Sequence, residues 1–269
     1  MTSELKLMAI LAHPDDESLG NGGILAKYAA EGIETHLVVA TRGERGWFGD
    51  EQEYPGLEAL GRIREGEVRA AAALLGIRSI NFLDYLDGEL DTAHPAEVIA
   101  KVVGYLRSIK PDVVVTFGQY GGYGHPDHIA ISQFTTAAIV EAASPYSSYH
   151  IELTPHRVAK LYYMAETKEM FDVYQAVFGE LVMQINGTSR SAVSWPGWSV
   201  SAKIDTWSHW RTILRAIGCH QTQLPAYHVL EHLSEEQRKH LWSFASYYRA
   251  FSLVNGGRKV EDDLFEGLR

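Results

Sequence analysis

The chain has 269 residues, of which 46% are hydrophobic and 22% are charged, values typical of a globular protein with a substantial core. Acidic residues outnumber basic residues by 34 to 24, and the formal net charge of −10 argues against a nucleic-acid partner. The apolar runs are too short to span a membrane, the N-terminus resembles no secretion signal, and the single cysteine excludes an intrachain disulfide. We expect a cytoplasmic protein without a membrane partner. These features are compatible with a homo-oligomer.

Strand-like and helix-like segments alternate through the first half of the chain. The predicted strands are 5–12, 35–41, 79–83 and 112–117, and the predicted helices are 24–31, 57–75, 96–109 and 126–143. This alternation is typical of βαβ crossovers, in which helices cover both faces of a parallel sheet. The sequence therefore predicts an α/β fold. We expect a Rossmann-like three-layer sandwich with a mostly parallel sheet and with catalytic loops at the carboxyl ends of the strands.

The second half of the chain has a weaker pattern. It predicts a strand at 157–165, a loop at 187–198, and helices at 206–219 and 234–251. No linker composition and no internal repeat divides the chain, so we expect a single domain over residues 1–269, with its part from about 145 onward less clearly defined. The glycines within 20–23 lack the G-x-G-x-x-G spacing, and a dinucleotide-binding site is therefore not expected.

Two short polar segments follow predicted strands. Residues 12–17 are Ala-His-Pro-Asp-Asp-Glu, after the first strand, and residues 124–128 are Gly-His-Pro-Asp-His, after the fourth. Open parallel sheets bind ligands at the carboxyl ends of their strands, so these two loops can face each other. His13 and Asp16 are three residues apart, and His128 can add a second imidazole. Two imidazoles and one carboxylate suit a catalytic zinc that keeps a fourth position open.

The same loops contain groups suited to proton transfer. Asp15 lies beside Asp16 and can accept a proton from water, and His125 places another imidazole near His128. Each residue alone has a structural alternative, because an aspartate after proline is a common helix N-cap and a single histidine usually packs or bonds locally. The pattern His-Pro-Asp, repeated after two predicted strands, favours a metal site over these alternatives.

Both loops resemble the paired signatures of the PIG-L/LmbE-like family, which are metal-dependent deacetylases of N-acetylglucosamine derivatives. The motifs are most similar to those of the sugar-thiol branch of the family. Further segments that resemble family motifs are Thr41-Arg42-Gly43-Glu44, Arg64-x-x-Glu67 with Leu75-Gly76, Leu86-Asp87-Gly88 with leucine in place of proline, Ile204-Asp205, and His220-Gln221-Thr222-Gln223. The resemblance covers 5–140 well and 200–225 in patches, and it does not extend to 145–200.

This resemblance implies a metal site and a general base. It assigns one Zn²⁺ per chain to His13, Asp16 and His128, with another divalent transition metal as an alternative. It assigns the general base to Asp15 and a catalytic imidazole to His125.

Three further residues match positions of the sugar-thiol branch. Tyr123 matches a tyrosine that assists the oxyanion, and Arg64 and Asp87 match positions that bind the sugar. Without the resemblance, each has a structural alternative. Tyr123 could pack within its loop, Arg64 could form an exposed salt bridge on a helix, and Asp87 could be a turn residue.

The implied reaction is hydrolysis of the acetamide of an N-acetylated amino sugar, or of its conjugate, by metal-activated water. The same residues would serve an amidase of this family that cleaves a larger sugar-thiol conjugate. Fe(II) oxygenases also use two histidines and one carboxylate, but usually with His-x-Asp spacing on a jelly-roll sheet. A non-catalytic metal-binding or sugar-binding module is a further alternative, although Asp15 beside a complete ligand set argues against it.

Overall fold

The computed structural model describes residues 4–146, 149, 152–180, 182–185, 187–257 and 259–269. The strands are β1 (Lys6–Leu11), β2 (Glu34–Thr41), β3 (Ser79–Tyr85), β4 (Val113–Thr116), β5 (Lys160–Met164), β6 (Val182–Ile185), β7 (Thr188–Ser191), β8 (Ala202–Asp205) and β9 (Phe244–Ser252). The helices are α1 (Asp16–Leu19), α2 (Gly22–Ala30), α3 (Leu57–Leu75), α4 (Pro95–Ile109), α5 (Gly121–Gly124), α6 (Pro126–Ala142), α7 (Lys168–Phe178), α8 (Trp210–Ile217), α9 (Leu224–Tyr227) and α10 (Glu235–Trp242).

A seven-stranded sheet forms the centre of the fold, in the order β3-β2-β1-β4-β5-β9-β8. Strands β1 to β5 are parallel, and β9 runs antiparallel to both β5 and β8. Every side chain from Leu7 to Leu11 is fully buried, as expected for a parallel strand with both faces covered. Helix α4 packs against α6, and α2 and α3 pack against α8. The predicted α/β fold with a mostly parallel sheet and helices on both faces is confirmed.

The order of the strands places a crevice between β1 and β4. From β1 the chain proceeds to β2 and β3 on one side, whereas β4 and β5 extend the sheet on the other side. Crossover connections leave in opposite directions at such a point, which opens a crevice at the carboxyl ends of the two strands. Both His-Pro-Asp loops begin at these ends, so the fold brings them together across the crevice.

The prediction for residues 234–251 is wrong in its second part. The helix α10 ends at Trp242, and residues 244–252 form β9, which lies between β5 and β8. Tyr247 pairs with Met164 on one side and with Ala202 on the other. Aromatic residues favour strands, and two neighbouring strands supply backbone partners that a local helical pattern cannot reveal.

Other parts of the second half also differ from expectation. The predicted loop at 187–198 contains β7, which pairs with β6 in a hairpin, and α7 and β8 were not predicted. The predicted strand at 157–165 is confirmed as β5, and the helix predicted at 206–219 is confirmed as α8 after a short 3₁₀ turn. Among the described residues, no helix is both long enough and apolar enough to cross a membrane.

A buried ion pair attaches the last described segment to the sheet. Lys160 on β5 donates to Glu261 over 2.7 Å, and the two side chains are 0% and 1% exposed. Arg249 on β9 also contacts Glu261, at 2.9 Å. Phe265 and Leu264, a few residues further on, are fully buried in the core. The segment 259–269 is therefore an integral part of the fold.

Candidate functional site

The loop after β1 holds the Asp16 carboxylate in a fixed orientation. Its Oδ2 accepts the backbone N–H of His13 over 2.8 Å and that of Ala12 over 3.2 Å. Its Oδ1 lies 3.5 Å from Nε2 of His128, across the crevice. Two backbone donors thus use one oxygen, and the other oxygen faces the second loop.

Two carboxylates hold the ring of His13. Nε2 lies 3.0 Å from Oδ1 of Asp87 and 3.2 Å from Oδ2 of Asp127. Asp127 also accepts the N–H groups of Gly88 and Leu90, which fixes its orientation. Carboxylates accept hydrogen bonds, so Nε2 carries a proton, and in the neutral ring Nδ1 presents a lone pair. Burial lowers the pKa of His13, but the bonds to Asp127 and Asp87 outweigh this effect and raise it.

The ring of His128 has a complementary orientation. Its Nδ1 donates to the carbonyl of Gly121 over 3.2 Å, and its face stacks on Phe117 at 3.8 Å between ring centroids. Gly121 adopts φ +60°, and a Cβ there would lie 3.0 Å from Cβ of His128, so the glycine permits this close approach. The other nitrogen, Nε2, lies 3.1 Å from Nδ1 of His13.

The donor atoms of these side chains fit a bound cation. When Nε2 of His13 and Nδ1 of His128 are the protonated nitrogens, two lone pairs face each other over 3.1 Å, an arrangement that a cation between them stabilises. The Asp16 carboxylate completes a triangle of ligand groups, with its Oδ2 3.8 Å from Nδ1 of His13 and its Oδ1 3.5 Å from Nε2 of His128. Ligands on a tetrahedral zinc lie roughly 3.3–3.6 Å apart, given bonds of about 2.0–2.2 Å.

Among the described residues, two groups of three side chains bring one ligand atom each within 4.8 Å of one another, and neither group includes Asp16. One is His13, His125 and His128, and the other is His13, Asp87 and Asp127. In the second group, both oxygens of Asp127 already accept backbone N–H groups, and both carboxylates bond to the protonated nitrogen of His13. These carboxylates therefore orient His13. All of these groups converge on the same crevice and form one candidate metal-binding region.

Asp15 has an unusual backbone and a buried side chain. Its φ of +117° and ψ of −28° lie in a region that non-glycine residues rarely adopt. Although it occupies the N-cap position of α1, its side chain makes no cap hydrogen bond. Instead, its Oδ2 accepts from Arg64 over 3.1 Å and from Tyr227 over 3.0 Å. Burial raises the pKa of Asp15, and the charge of Arg64 opposes this rise.

Glu17 and His220 form a pair beneath this loop. Both residues are fully buried, and Nε2 of His220 lies 2.7 Å from Oε1 of Glu17. The other oxygen of Glu17 accepts the backbone N–H of Asp15 over 3.0 Å. Burial opposes ionisation of both, but the mutual attraction lowers the pKa of Glu17 and raises that of His220. These shifts favour the ionised pair, and Glu17 is bonded directly to the backbone of Asp15.

His125 and Tyr123 lie on the opposite side of the crevice. The Nδ1 of His125 accepts the N–H of Asp127 and caps α6, so the neutral ring carries its proton on Nε2. Burial lowers the pKa of His125 to about 4, and the positive charge of His13 acts in the same direction. The Tyr123 ring lies 5.1 Å from the His128 ring, and burial raises the pKa of Tyr123.

The remaining two predicted residues also lie in this region. Arg64 is 3% exposed and donates to the carbonyls of Pro14 and Gly43 as well as to Asp15, so it is not an exposed salt bridge. Oδ2 of Asp87 accepts the N–H of Arg45, while Oδ1 contacts His13. The structure thus brings together every residue that the sequence singled out.

Four neighbouring residues were not among the predicted site residues. Asp127 belongs to the second His-Pro-Asp segment, where its position alone could not separate a helix cap from a histidine partner. Glu17 and His220 lie within segments that resemble family motifs, but nothing in the sequence links them. No sequence feature pointed to Tyr227, because its hydroxyl is brought to Asp15 only by the tertiary fold.

An open cavity of about 610 Å³ lies beside the site. It is lined by Arg45, Trp47, Phe48, Gly49, Glu51, Tyr54 and Leu57, from the segment between β2 and α3. The backbone of Arg45 bonds to Asp87, and the carbonyl of Gly46 accepts from Gln223 over 2.7 Å. These bonds hold the segment at the edge of the crevice.

Comparison with known proteins identifies the family. The sequence model described as "PIG-L: GlcNAc-PI de-N-acetylase" matches residues 8–139, which include both His-Pro-Asp loops. A relative from Geodermatophilus obscurus, named 1D-myo-inositol 2-acetamido-2-deoxy-alpha-D-glucopyranoside deacetylase, is 33% identical over 306 residues. The match covers 100% of this chain and 99% of the relative. The chain belongs to the PIG-L family.

Solved structures share the PIG-L fold. The N,N'-diacetylchitobiose deacetylase from Pyrococcus horikoshii superimposes with a TM-score of 0.70 at 22% identity, over 92% of this chain and 84% of the other. The 4-carboxy-2-hydroxymuconate hydratase from Pseudomonas putida gives a TM-score of 0.69 at 17% identity, over 94% and 99%. The names of these two proteins describe different reactions, so the fold alone does not determine the chemistry.

Proposed function

We propose that this PIG-L family member is a zinc-dependent hydrolase that removes the acetyl group from an N-acetylated glucosamine derivative. The observation that carries the proposal is the arrangement of His13 and His128, whose nitrogens Nδ1 and Nε2 face each other over 3.1 Å beside the oriented carboxylate of Asp16. The name of the relative from Geodermatophilus obscurus, a deacetylase of an N-acetylglucosamine conjugate, supports this choice of substrate class.

His13, Asp16 and His128 would hold the metal ion. The ligand atoms would be Nδ1 of His13, Nε2 of His128 and Oδ1 of Asp16, because hydrogen bonds engage the other polar atoms of these side chains. Bound Zn²⁺ supplies a water of lowered pKa and polarises a carbonyl oxygen. Nitrogen and carboxylate ligands without thiolates suit zinc, and other divalent transition metals accept the same set.

Asp15 would act as the general base. It lies between the proposed ligands His13 and Asp16, and its side chain neither caps a helix nor belongs to the ligand triangle. Arg64 and Tyr227 both bond to Oδ2, so Oδ1 is the oxygen that remains to receive the proton of the attacking water. The positive charge of Arg64 would favour the ionised form of Asp15, which burial disfavours.

His125 and Tyr123 would donate hydrogen bonds to the reacting amide. In the neutral tautomer fixed by the cap of α6, His125 presents Nε2–H, and Tyr123 remains a phenol because burial raises its pKa. A donor aimed at the developing oxyanion is typically worth about 3–4 kcal/mol. The proton that Asp15 takes from the attacking water would then pass to the nitrogen and complete the release of the amine.

Arg64 and Asp87 would contact the sugar at the edge of the crevice. In the structure they also support catalytic groups, since Arg64 bonds to Asp15 and Asp87 bonds to His13. The substrate is a small molecule in this proposal, and the cavity beside Asp87 offers room for the group attached to the sugar. The cytoplasmic location, the single domain and the oligomeric state stay predictions.

Release of primary amine, followed with fluorescamine, tests the proposal. The substrates are N-acetylglucosamine, simple N-acetylglucosaminides and the inositol conjugate, assayed after chelation and again after addition of zinc. Zinc-dependent amine release supports deacetylation. Turnover restricted to a larger sugar-thiol amide would indicate the amidase alternative. Binding of zinc and sugar without turnover of any amide would indicate a binding module.

A further inference from the structure

A side chain helps to hold the backbone of Asp15, which lies in a turn before α1. The N–H of Asp16 lies 3.4 Å from the carbonyl of His13, and the carbonyl of Asp15 accepts from Ser18 and Leu19 over 2.9 Å each. At φ +117° the residue is one of three non-glycine residues with positive φ among those that the structure describes, and the other two have φ values near +60°. Such conformations persist when the surroundings impose them, and they cluster at active sites. The N–H of Asp15 donates to Oε2 of Glu17, two residues ahead. This hydrogen bond fixes the peptide plane from which the Asp15 side chain projects.

Glu17 in turn depends on His220. Its second oxygen, Oε1, accepts the hydroxyl of Ser18 over 2.6 Å and Nε2–H of His220 over 2.7 Å. The side chains of Glu17 and His220 are 0% exposed. A buried carboxylate needs hydrogen-bond donors, and His220 supplies one of them to Glu17 from a distant part of the chain. The orientation of Glu17 therefore rests on a residue 203 positions further along the chain.

The segment that contains His220 is attached to the helix that also carries Arg64. Thr222 donates its N–H and its hydroxyl to the two oxygens of Glu67 on α3, each over 2.7 Å. Arg64 lies on α3, one turn before Glu67, and bonds to Oδ2 of Asp15. Helix α3 thus sets both the bond to the Asp15 carboxylate and the position of the pair that holds its backbone.

We propose that His220 is a positioning residue for deacetylation, acting through Glu17 to hold the strained backbone of Asp15. This inference rests on the proposed function, in which Asp15 is the general base. Among the described residues, the side-chain hydrogen bonds of His220 are with Glu17 and Ser18, so its loss changes the placement of the base and leaves the proposed substrate contacts intact. A base that is misplaced lowers kcat while KM and metal content stay the same.

Two substitutions of His220 by an amide test whether the side chain must be long enough to bond to Glu17. In His220→Gln the side-chain nitrogen can occupy the place of Nε2 and keep the bond to Glu17, whereas in His220→Asn the amide is too short to do so. We expect His220→Gln to keep kcat within about threefold and His220→Asn to lower it tenfold or more, with KM and zinc content unchanged. His228→Asn, at an exposed histidine of the same region, is the control and should match the wild type. Equal kcat values for His220→Gln and His220→Asn would overturn the proposal, and so would a marked loss in His220→Gln alone.

A double variant tests whether His220 acts through Asp15. In an Asp15→Asn background the base is already absent, so adding His220→Asn should change kcat by less than about threefold, because residues that act as one unit are non-additive. A further tenfold loss would show that His220 acts on another group and would overturn the proposal.

Hydrogen exchange of the Asp15 amide gives a readout that needs neither metal nor substrate. Nuclear magnetic resonance should show at least tenfold faster exchange in His220→Asn than in the wild type, and wild-type protection in His220→Gln. Unchanged protection in His220→Asn would overturn the inference. Failure of the wild type to deacetylate any N-acetylglucosaminide would instead refute the proposed function, and the exchange comparison would still decide whether His220 holds Asp15.

Discussion

Replacement of Asp15 by asparagine removes the proposed base with little change in shape. The oxygen of the amide can take the place of Oδ2 and accept from Arg64 and Tyr227, as the carboxylate does. The NH₂ group then occupies the position of Oδ1, where it cannot accept a proton. General-base assistance typically contributes a factor of about 10²–10⁴, so kcat should fall at least about a hundredfold, or roughly 3 kcal/mol in activation free energy.

The same substitution leaves Arg64 without its ionic partner. Arg64 is 3% exposed and keeps the carbonyls of Pro14 and Gly43 as acceptors. Removal of one member of a buried ion pair costs about 3–5 kcal/mol, but the retained hydrogen bonds reduce this figure, and we expect a loss of about 1–3 kcal/mol in unfolding free energy. Asparagine tolerates positive φ, so backbone strain should change little.

The experiment combines fluorescamine kinetics, elemental analysis and denaturant unfolding of wild type and Asp15→Asn. Asp84→Asn is the matched control, because Asp84 also has positive φ and pairs with an arginine, but lies on β3 with an exposed side chain. Loss of zinc in Asp15→Asn would identify Asp15 as a ligand and refute the assignment of Asp16. Full activity with full zinc content would place the base elsewhere, with His125 as the next candidate.

Three further predictions concern other parts of the molecule. His13→Ala and His128→Ala should each lose most of the bound metal in elemental analysis, and full occupancy in both would exclude the proposed ligand triangle. Asp87→Ala should lower kcat/KM for N-acetylglucosaminides while zinc is retained, and wild-type kinetics would place the sugar elsewhere. Glu261→Gln should lower the unfolding free energy by about 1–3 kcal/mol at pH 7, because Lys160 loses a buried counter-ion. Burial opposes ionisation of Glu261, but the bond from Lys160 outweighs it and lowers the pKa below 4.5, so the contribution is complete above pH 4.5 and is lost as the pH falls further. The difference in stability between wild type and Glu261→Gln should therefore shrink below pH 4.5, and a constant difference in denaturant unfolding would contradict this assignment.

The first half of the fold could be predicted because its signals are local. The apolar run that predicts β1 and the helical spacing that predicts α3 each lie within one element, so each element can be predicted from its own residues. The strand β9 could not be predicted in this way. Its partners, β5 and β8, lie more than 35 residues away, and the preceding helix α10 extends the apparent helical pattern into it.

Prediction of the candidate site from the sequence was limited in the same way, because only local patterns could be used. His13, Asp16 and His128 carry a recognisable spacing, so a metal site at two strand ends could be inferred before any coordinates. The contacts of Asp15 could not be inferred in this way. Tyr227 lies more than 200 residues further along the chain, and so does His220, which acts on Asp15 through a buried hydrogen bond to Glu17. Arg64 is an example. Its match to a family motif marked it as a site residue, but the motif did not reveal its hydrogen bond to Asp15.

The position of β9 in the sheet affects how the nascent chain folds on the ribosome. Strand β5 ends at Met164 and its antiparallel partner begins at Phe244, so about 80 residues are synthesised while one edge of β5 has no partner. At about 5–20 residues per second, that interval lasts roughly 4–16 s. An unpaired edge of Leu161 and its neighbours can pair with strands of other chains during this time. Growth conditions that slow translation beyond Met164 should therefore reduce the soluble yield, and chaperones that shield the exposed strand should restore it.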